Sequence, residues 1–293
     1  MYSFGRSEYD NEWDGFIELT AQDSFNPWNS MSYRQVNDIQ RETLTLDKQE
    51  MINRSLLDFK VLDETPHEII VLKPAGMASE LTSDPKGVSL LSRLRCACPP
   101  PLEPKLPHRL DRVTRGLMLI ALTPEAIAFH GEQIRSRAWE KFYLGRVHEP
   151  RDRPLKALLG QHRAYLKRVR HRAKIVRSGG KPSFLEILAA HPAPGLPRQA
   201  HVLIKLLTGR FHQVRAMLQG LGAPLVGDAF YGADAPQRRG WDDFYLEHIA
   251  LKYVSCEHRA PRVAHLRDDP GREAVSSAMR GEIEALVSQT SKV

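Results

Sequence analysis

Between residues 107 and 122 a charged, turn-forming segment runs without interruption into an apolar, strand-like run. Pro107, His108, Arg109, Leu110, Asp111, Arg112, Val113, Thr114 and Arg115 come first, and Leu117 to Leu122 follow after Gly116. A short apolar run bounded by turn residues reads as a buried strand. The fold must therefore place the Asp111 carboxylate on a loop at the end of its own core. Arg109, Arg112 and Arg115 flank Asp111 in sequence and predict that nearby positive charge keeps it ionised. An ionised carboxylate held on such a loop is what a nucleophile or a general base requires. A surface salt-bridge cluster would use the same residues, because structural ion-pair networks also perturb pKa values. These residues alone leave both readings open.

Other segments set the class. Residues 69–72 form a β-branched run stopped by Lys73, Pro74, Ala75 and Gly76, a strand and its turn. Residues 142–144 alternate as a strand does, with Phe142 and Leu144 on one side and Tyr143 on the other. Strands are also predicted over 183–189, 200–207 and 249–254. A short helix is expected over 87–94 on the spacing of Val88, Leu91 and Leu94. Thr123, Pro124 and Glu125 start another, as N-cap, first helical residue and acidic first turn; its inner face is predicted as Ile127, Ile134 and Ala138. The helix after Thr208 and Gly209 carries Phe211, Val214, Met217, Leu218 and Leu221, and Arg215 falls off that stripe, free to reach into a cleft. A polar helix is expected over 272–287. Strands and helices mixed without regular βαβ alternation predict an α+β domain.

Residues 1–60 stand apart. The first thirty show no clear apolar period and the next thirty allow a short helix or two with only partial apolar faces, which predicts an N-terminal extension packed on the core or partly disordered, ahead of a main domain over 61–293.

The 293-residue chain carries 42 Lys and Arg against 35 Asp and Glu, a formal charge of +7. That balance favours an anionic partner such as nucleic acid. Cys96, Cys98 and Cys256 are too few for a disulfide framework and fit a reducing compartment. The spacing of Cys96 and Cys98 is wrong for a zinc knuckle, so no metal is predicted. No apolar stretch approaches the length needed to span a bilayer, and the first residues lack the apolar core of a secretory signal. Both point to a cytoplasmic protein.

His108-Arg109-Leu110-Asp111, with Thr114, Gly116 and Leu117, resembles the HRLD-x-x-T-S-G-L signature of the RluA family of pseudouridine synthases. Three more resemblances occur in the family's order. Val71 to Gly76 is similar to V-x-N-K-P-A-G, and Lys141 to Gly145 is similar to K-x-Y-x-A. Thr208 to Arg215, followed by Pro224 to Gly232, is similar to T-G-R-x-H-Q-I-R and P-L-x-G-D-x-x-Y-G. Together these cover about residues 61–256.

The resemblance implies a pseudouridine-synthase catalytic domain, α+β, with a mixed, mainly antiparallel central sheet flanked by helices and loops. It implies isomerisation of specific uridines to pseudouridine in structured RNA, ribosomal or transfer. That chemistry needs no redox step or energy input, so no cofactor is expected, and neither a membrane nor an obligate protein partner is evident in the sequence. Asp111 would be the essential catalytic residue, Arg215 its partner, and Tyr143 the group that stacks near the uracil and serves as a base. Arg109, Leu110, Arg112, His212 and Lys73 would bind substrate: Lys73 at an RNA phosphate, Leu110, Arg112 and His212 lining the pocket, and Arg109 or Arg112 inserting into the RNA. Residues 162–181 are the most basic part of the chain. Within them Arg163, Lys167, Arg168, Arg170, Arg172 and Lys174 are expected to contact the RNA backbone, because phosphate neutralisation supplies much of the affinity; the plain alternative is a solvated, mobile segment.

The chain departs from the family pattern at Arg115 (family Ser), at Leu122 (Lys), at Leu72 (Asn) and over Ala78, Ser79 and Glu80 (V-H-P). The small basic domain that often precedes the catalytic one is not recognisable in residues 1–60. The competing expectation is a non-catalytic RNA-binding or ribosome-associated protein that retains the fold. A carboxylate-pair glycosidase needs a second acid, which these motifs do not offer.

Overall fold

A computed structural model describes residues 52–80, 88–232, 243–269 and 271–288. Most of the expected N-terminal extension, residues 1–51, and the predicted helix start at Gly87 lie outside the described residues.

Among the described residues ten strands form one sheet. In chain order they are β1 (Lys60–Glu64), β2 (Glu68–Lys73), β3 (Arg115–Ala121), β4 (Glu140–His148) and β5 (Gly160–Val169), then β6 (Arg172–Ile175), β7 (Lys181–Pro192), β8 (Gln199–Leu206), β9 (Leu246–Val254) and β10 (Pro261–His265). The order across the sheet is β1-β2-β3-β9-β4-β8-β7-β5-β6, with β10 also paired to β9. Every pairing is antiparallel except β3 with β9, which run parallel at Arg115 and Gly116. Among the described residues four α-helices accompany the sheet: α1 (Leu90–Ala97), α2 (Pro124–Arg135), α3 (Gln213–Gly220) and α4 (Ser277–Ser288). This is the expected mixed, mostly antiparallel α+β architecture. No helix among the described residues is long and apolar enough to cross a membrane.

Alternation along the central strands sends side chains into clusters on opposite sides of the sheet. Tyr143, Val147, Val202 and Ile204 face the cluster that contains Met118, Leu185 and the α3 residues Val214 and Met217. Phe142, Leu144, Leu203 and Ile249 face the opposite side, where Met279 and Ile283 of α4 cover them. The expected split of Phe142 and Leu144 from Tyr143 is what separates the two clusters. Ile52 is buried in the first of them and the Asn53 amide bonds to the Ala97 carbonyl. The packed body thus begins ahead of residue 60.

Several local expectations shift. Thr123 caps α2 through the Ala126 amide with Pro124 at the helix start, but the fully buried face is Ala126, His130 and Gln133, not Ile127, Ile134 and Ala138. His130 can occupy the interior because Glu68 meets its Nε2 at 2.5 Å, and paired polar groups bury where lone ones do not. α1 starts at Leu90 behind a capping box made by Ser89 and Ser92, leaving Val88 exposed. β1, β5, β6 and β10 carry too few consecutive apolar residues to announce themselves. β5 and β6 form a hairpin out of the basic segment, where a solvated, mobile run was the plain reading.

Candidate active site

Asp111 lies on the loop between α1 and β3, and two anchors fix that loop from below. Ser79 Oγ donates to the Leu110 carbonyl (2.8 Å) and accepts from the Leu110 amide (3.1 Å). The Nζ of Lys73, at the end of β2, donates to the carbonyls of Pro74 (2.8 Å), Met77 (2.7 Å) and Arg112 (3.3 Å). Lys73 is fully buried. Burial pushes its pKa down to about 7, against the pull of the Asp111 charge. Three acceptors occupy three N–H bonds, which only the ammonium form possesses. This corrects two expectations. Lys73 has no surface to offer an RNA phosphate, and Leu110 is packed into the main core cluster, not set along a pocket.

The arginines beside Asp111 in sequence do not hold it. Arg109 is exposed and pairs with Glu80 at 2.8 Å. Arg112 is exposed, and its carbonyl accepts from Lys73 and from the Gly76 amide. Arg115 turns to the buried Glu247 and to Asp269 (2.6 Å). What faces Asp111 is Arg215, 104 residues on, with Nη1 3.4 Å from Asp111 Oδ2. The expectation of a carboxylate held ionised by its neighbours is corrected accordingly. Burial raises the Asp111 pKa above its usual range, and Arg215 and then Lys73 only partly oppose that shift. Burial disfavours the charged form more than these cations favour it.

Arg215 sits on α3 and is itself buried. It is not free to swing: Nε and Nη2 each donate to an Asp228 carboxylate oxygen at 2.8 Å. Asp228 Oδ1 also accepts from the amides of Phe230 (2.9 Å) and Tyr231 (3.1 Å). A bidentate fork of this kind fixes the guanidinium plane. His212 precedes α3 with φ 49°, a left-handed conformation that places its ring between Phe211 (centroids 3.8 Å) and Phe230 (6.1 Å). Burial and then Arg215 push its pKa down to about 3, so the ring is neutral at physiological pH. Its Nε2 accepts from Arg215 Nη1 (3.0 Å), which leaves Nδ1–H to donate to the Tyr231 hydroxyl (3.1 Å). The Tyr231 oxygen accepts in turn from the Ala173 amide at 2.6 Å, tying the basic hairpin to the site.

That hairpin presents Arg163, Lys167, Arg168, Arg170, Arg172 and Lys174 on exposed positions. The Arg168 guanidinium lies over Phe211 (4.6 Å) and that of Arg172 over Phe230 (5.2 Å), so these two sit at the rim of the cleft. Arg163 lies over Tyr165 (4.9 Å) and Phe184 (5.7 Å).

Tyr143 projects from β4, and its ring stacks on His248 with centroids 4.6 Å apart and planes at 19°. Burial and then the Asp111 charge raise its pKa, so it stands as a neutral phenol. A neutral phenol accepts a proton only while passing its own on, which narrows the expected role as a base. Three residues of the site were not singled out from the sequence: Asp228, Tyr231 and His248. The first two lie in the motif at 224–232 and were legible there. His248 has no local signal; it meets Tyr143 only because β9 pairs with β4. Among the described residues no group of acidic, His and Cys side chains could hold a metal.

Against known proteins, residues 67–220 match the family described as RNA pseudouridylate synthase, a span that contains Asp111, Tyr143 and Arg215 but stops short of Asp228. The dual-specificity RNA pseudouridine synthase RluA of Escherichia coli is 31% identical over 200 residues, 67% of this chain and 86% of RluA. An uncharacterized RNA pseudouridine synthase of Mycoplasma pneumoniae is 30% identical over 66% of this chain, and the match spans 62% of that relative. The ribosomal large subunit pseudouridine synthase D of Nitrosomonas europaea is 32% identical over 61% of this chain and 52% of its own length. In fold, the chain is similar to human RNA pseudouridylate synthase domain containing 1, with a TM-score of 0.59 at 22% identity, covering 79% of this chain and 96% of that one.

Proposed function

This chain belongs to the RNA pseudouridylate synthase family, on its RluA branch, and from that premise we propose that it isomerises specific uridines of structured ribosomal or transfer RNA to pseudouridine. The observation that carries the proposal is the partly exposed carboxylate of Asp111, aimed at by Arg215 and within electrostatic reach of the stacked Tyr143.

The chemistry asked of these residues is balanced without a redox step. The C1′–N1 bond breaks, the uracil turns, a C5–C1′ bond forms, C5 loses its proton and N1 gains one. A uracil inside a duplex is out of reach, so it is extruded at a cost of a few kcal/mol, which basic contacts to the backbone offset. Asp111 then acts on the ribose, adding to C1′ or stabilising positive charge that develops there. Arg215 keeps that carboxylate oriented, and Asp228 keeps Arg215 oriented. Tyr143 supplies the stacking surface for the uracil and relays the C5 proton.

The test is tritium release from RNA labelled at uridine C5, prepared from cells lacking this protein. Release by the unaltered protein and none by Asp111→Asn supports the reading. Equal, near-zero release from both, with RNA binding retained, would instead favour a binding protein that keeps the fold.

A further inference from the structure

A cavity of about 320 Å³ opens where β4 begins and β8 ends, lined by Arg137, Trp139, Lys141, Phe184, Leu206 and Thr208 among others. Two of its cations have no side-chain partner among the described residues. Lys141 is half-buried, yet no hydrogen bond or ion pair reaches its ammonium. Arg137, at the rim, is likewise unpaired. Glu140 and Lys205 line the same cavity, but the Glu140 carboxylate is held by Lys205, and the Thr208 hydroxyl donates to Gln213 (2.8 Å). A partly desolvated ammonium without a counter-ion is costly, and the one acid on the cavity wall, Glu140, is paired with Lys205 instead.

The position of Lys141 ties the cavity to the catalytic residues. It shares a face of β4 with Tyr143, about 7 Å away along the strand. Its cross-strand neighbour Leu206 lies in the same core cluster as Tyr143. Its Nζ lies beside Gly209, 3.6 Å from where a Cβ would stand, in the turn that leads to Arg215. Burial lowers the pKa values of His108 and His248 and the Lys141 charge adds to that, so it lies within the electrostatic reach of the ring on which Tyr143 stacks.

We propose that Lys141, with Arg137 at the rim, forms a binding subsite for a backbone phosphate of the substrate RNA next to the extruded uridine. The proposal rests on RNA being the substrate. A phosphate entering here meets an ammonium that no carboxylate among the described residues pairs with, and charge-assisted hydrogen bonds of this kind are among the stronger ones. Phe184, on the cavity wall, adds an aromatic face beside it.

The experiment measures binding of a fluorescein-labelled, uridine-containing RNA hairpin from about 50 to 200 mM salt, together with kcat and KM for tritium release. It compares the unaltered protein with Lys141→Gln, Lys141→Arg and, as a charge-matched control on α4, Arg280→Gln. Thermal melts establish that each variant is folded. Lys141→Gln is expected to weaken binding and raise KM about tenfold, hold kcat within about twofold, and lower the salt slope by about one. Lys141→Arg should restore most of the affinity. A Lys141→Gln slope and affinity equal to those of Arg280→Gln would overturn the subsite, as would a loss confined to kcat. So would inorganic phosphate alone raising the melting temperature as much as the hairpin does, because the site would then be one for free anions. The salt slope needs no turnover. Absence of tritium release from the unaltered protein would therefore count against the isomerase reading only, whereas absence of RNA binding would overturn both.

Discussion

Arg215 donates two 2.8 Å hydrogen bonds to Asp228 and turns its remaining terminal nitrogen toward Asp111 at 3.4 Å. The carboxylate that binds Arg215 most tightly is therefore not the one proposed to react. Asp228 satisfies the buried guanidinium, so Arg215 stays in place whether Asp111 is charged or neutral. Asp228→Ala should cost about 3–5 kcal/mol of stability, the penalty for stranding a buried charge, and reduce tritium release at least ~100-fold. Urea melts alongside the release assay check both. Arg215→Lys should rescue little, because a lysine cannot reproduce the fork; recovery to near-parental rates would refute that geometry.

Asp111→Asn should separate activity from stability. Burial raises the pKa of this carboxyl, so the fold gains little from its charge. The variant should lose release entirely while its urea midpoint holds or rises, by up to about 1 kcal/mol. A clear drop in stability would mean that Asp111 supports the fold more than the chemistry.

The pH dependence follows from the same residue. A carboxylate must be ionised to act at C1′, and the Asp111 pKa is raised above the ordinary value of 3.8. Activity should therefore be lost as pH falls through that raised value, with an acid limb lying above 3.8. His212 and His248, depressed to about 3 and about 4, are neutral at every pH where the enzyme works and should contribute no limb near 6–7. A rate profile of kcat on labelled RNA decides this. A limb near the ordinary histidine value that vanished in His212→Gln would contradict it.

Tyr143→Phe keeps the ring that stacks on His248 and removes only the hydroxyl. Stability should change by less than about 1 kcal/mol, while release should fall about 100-fold if the hydroxyl relays the C5 proton. Substituting leucine should lower stability as well, because the buried stack is lost. Unchanged release from the phenylalanine variant would leave Tyr143 with a stacking role alone.

Gly116→Ala tests how Asp111 is positioned. Gly116 has φ +134°, and a Cβ there would meet the backbone nitrogen of His248 at 2.5 Å and its carbonyl oxygen at 2.6 Å. Backbone cannot yield as a flexible side chain can, so the parallel contact between β3 and β9 would have to open. A loss of roughly 2–4 kcal/mol is expected. A melt matching the parent would show that β9 can shift without penalty.

The α+β class, the strands around residues 69–72, 117–122 and 200–207, and the loop that carries Asp111 are legible in the residues alone, because apolar runs and turn residues act locally. Resemblance also brought Asp111, Tyr143 and Arg215 together, without their geometry. Which charge answers which depends instead on the folded arrangement. Arg109, Arg112 and Arg115 lie within four residues of Asp111, yet Glu80 takes the first, the second points to solvent, and Glu247 and Asp269 take the third. Lys73 reads from sequence as a turn cation and is instead the buried clasp of the loop. Charge partners are chosen by distance in space and by burial. Here both are set by the pairing of β2, β3, β4 and β9 and by the docking of α3, long-range contacts that no local pattern encodes.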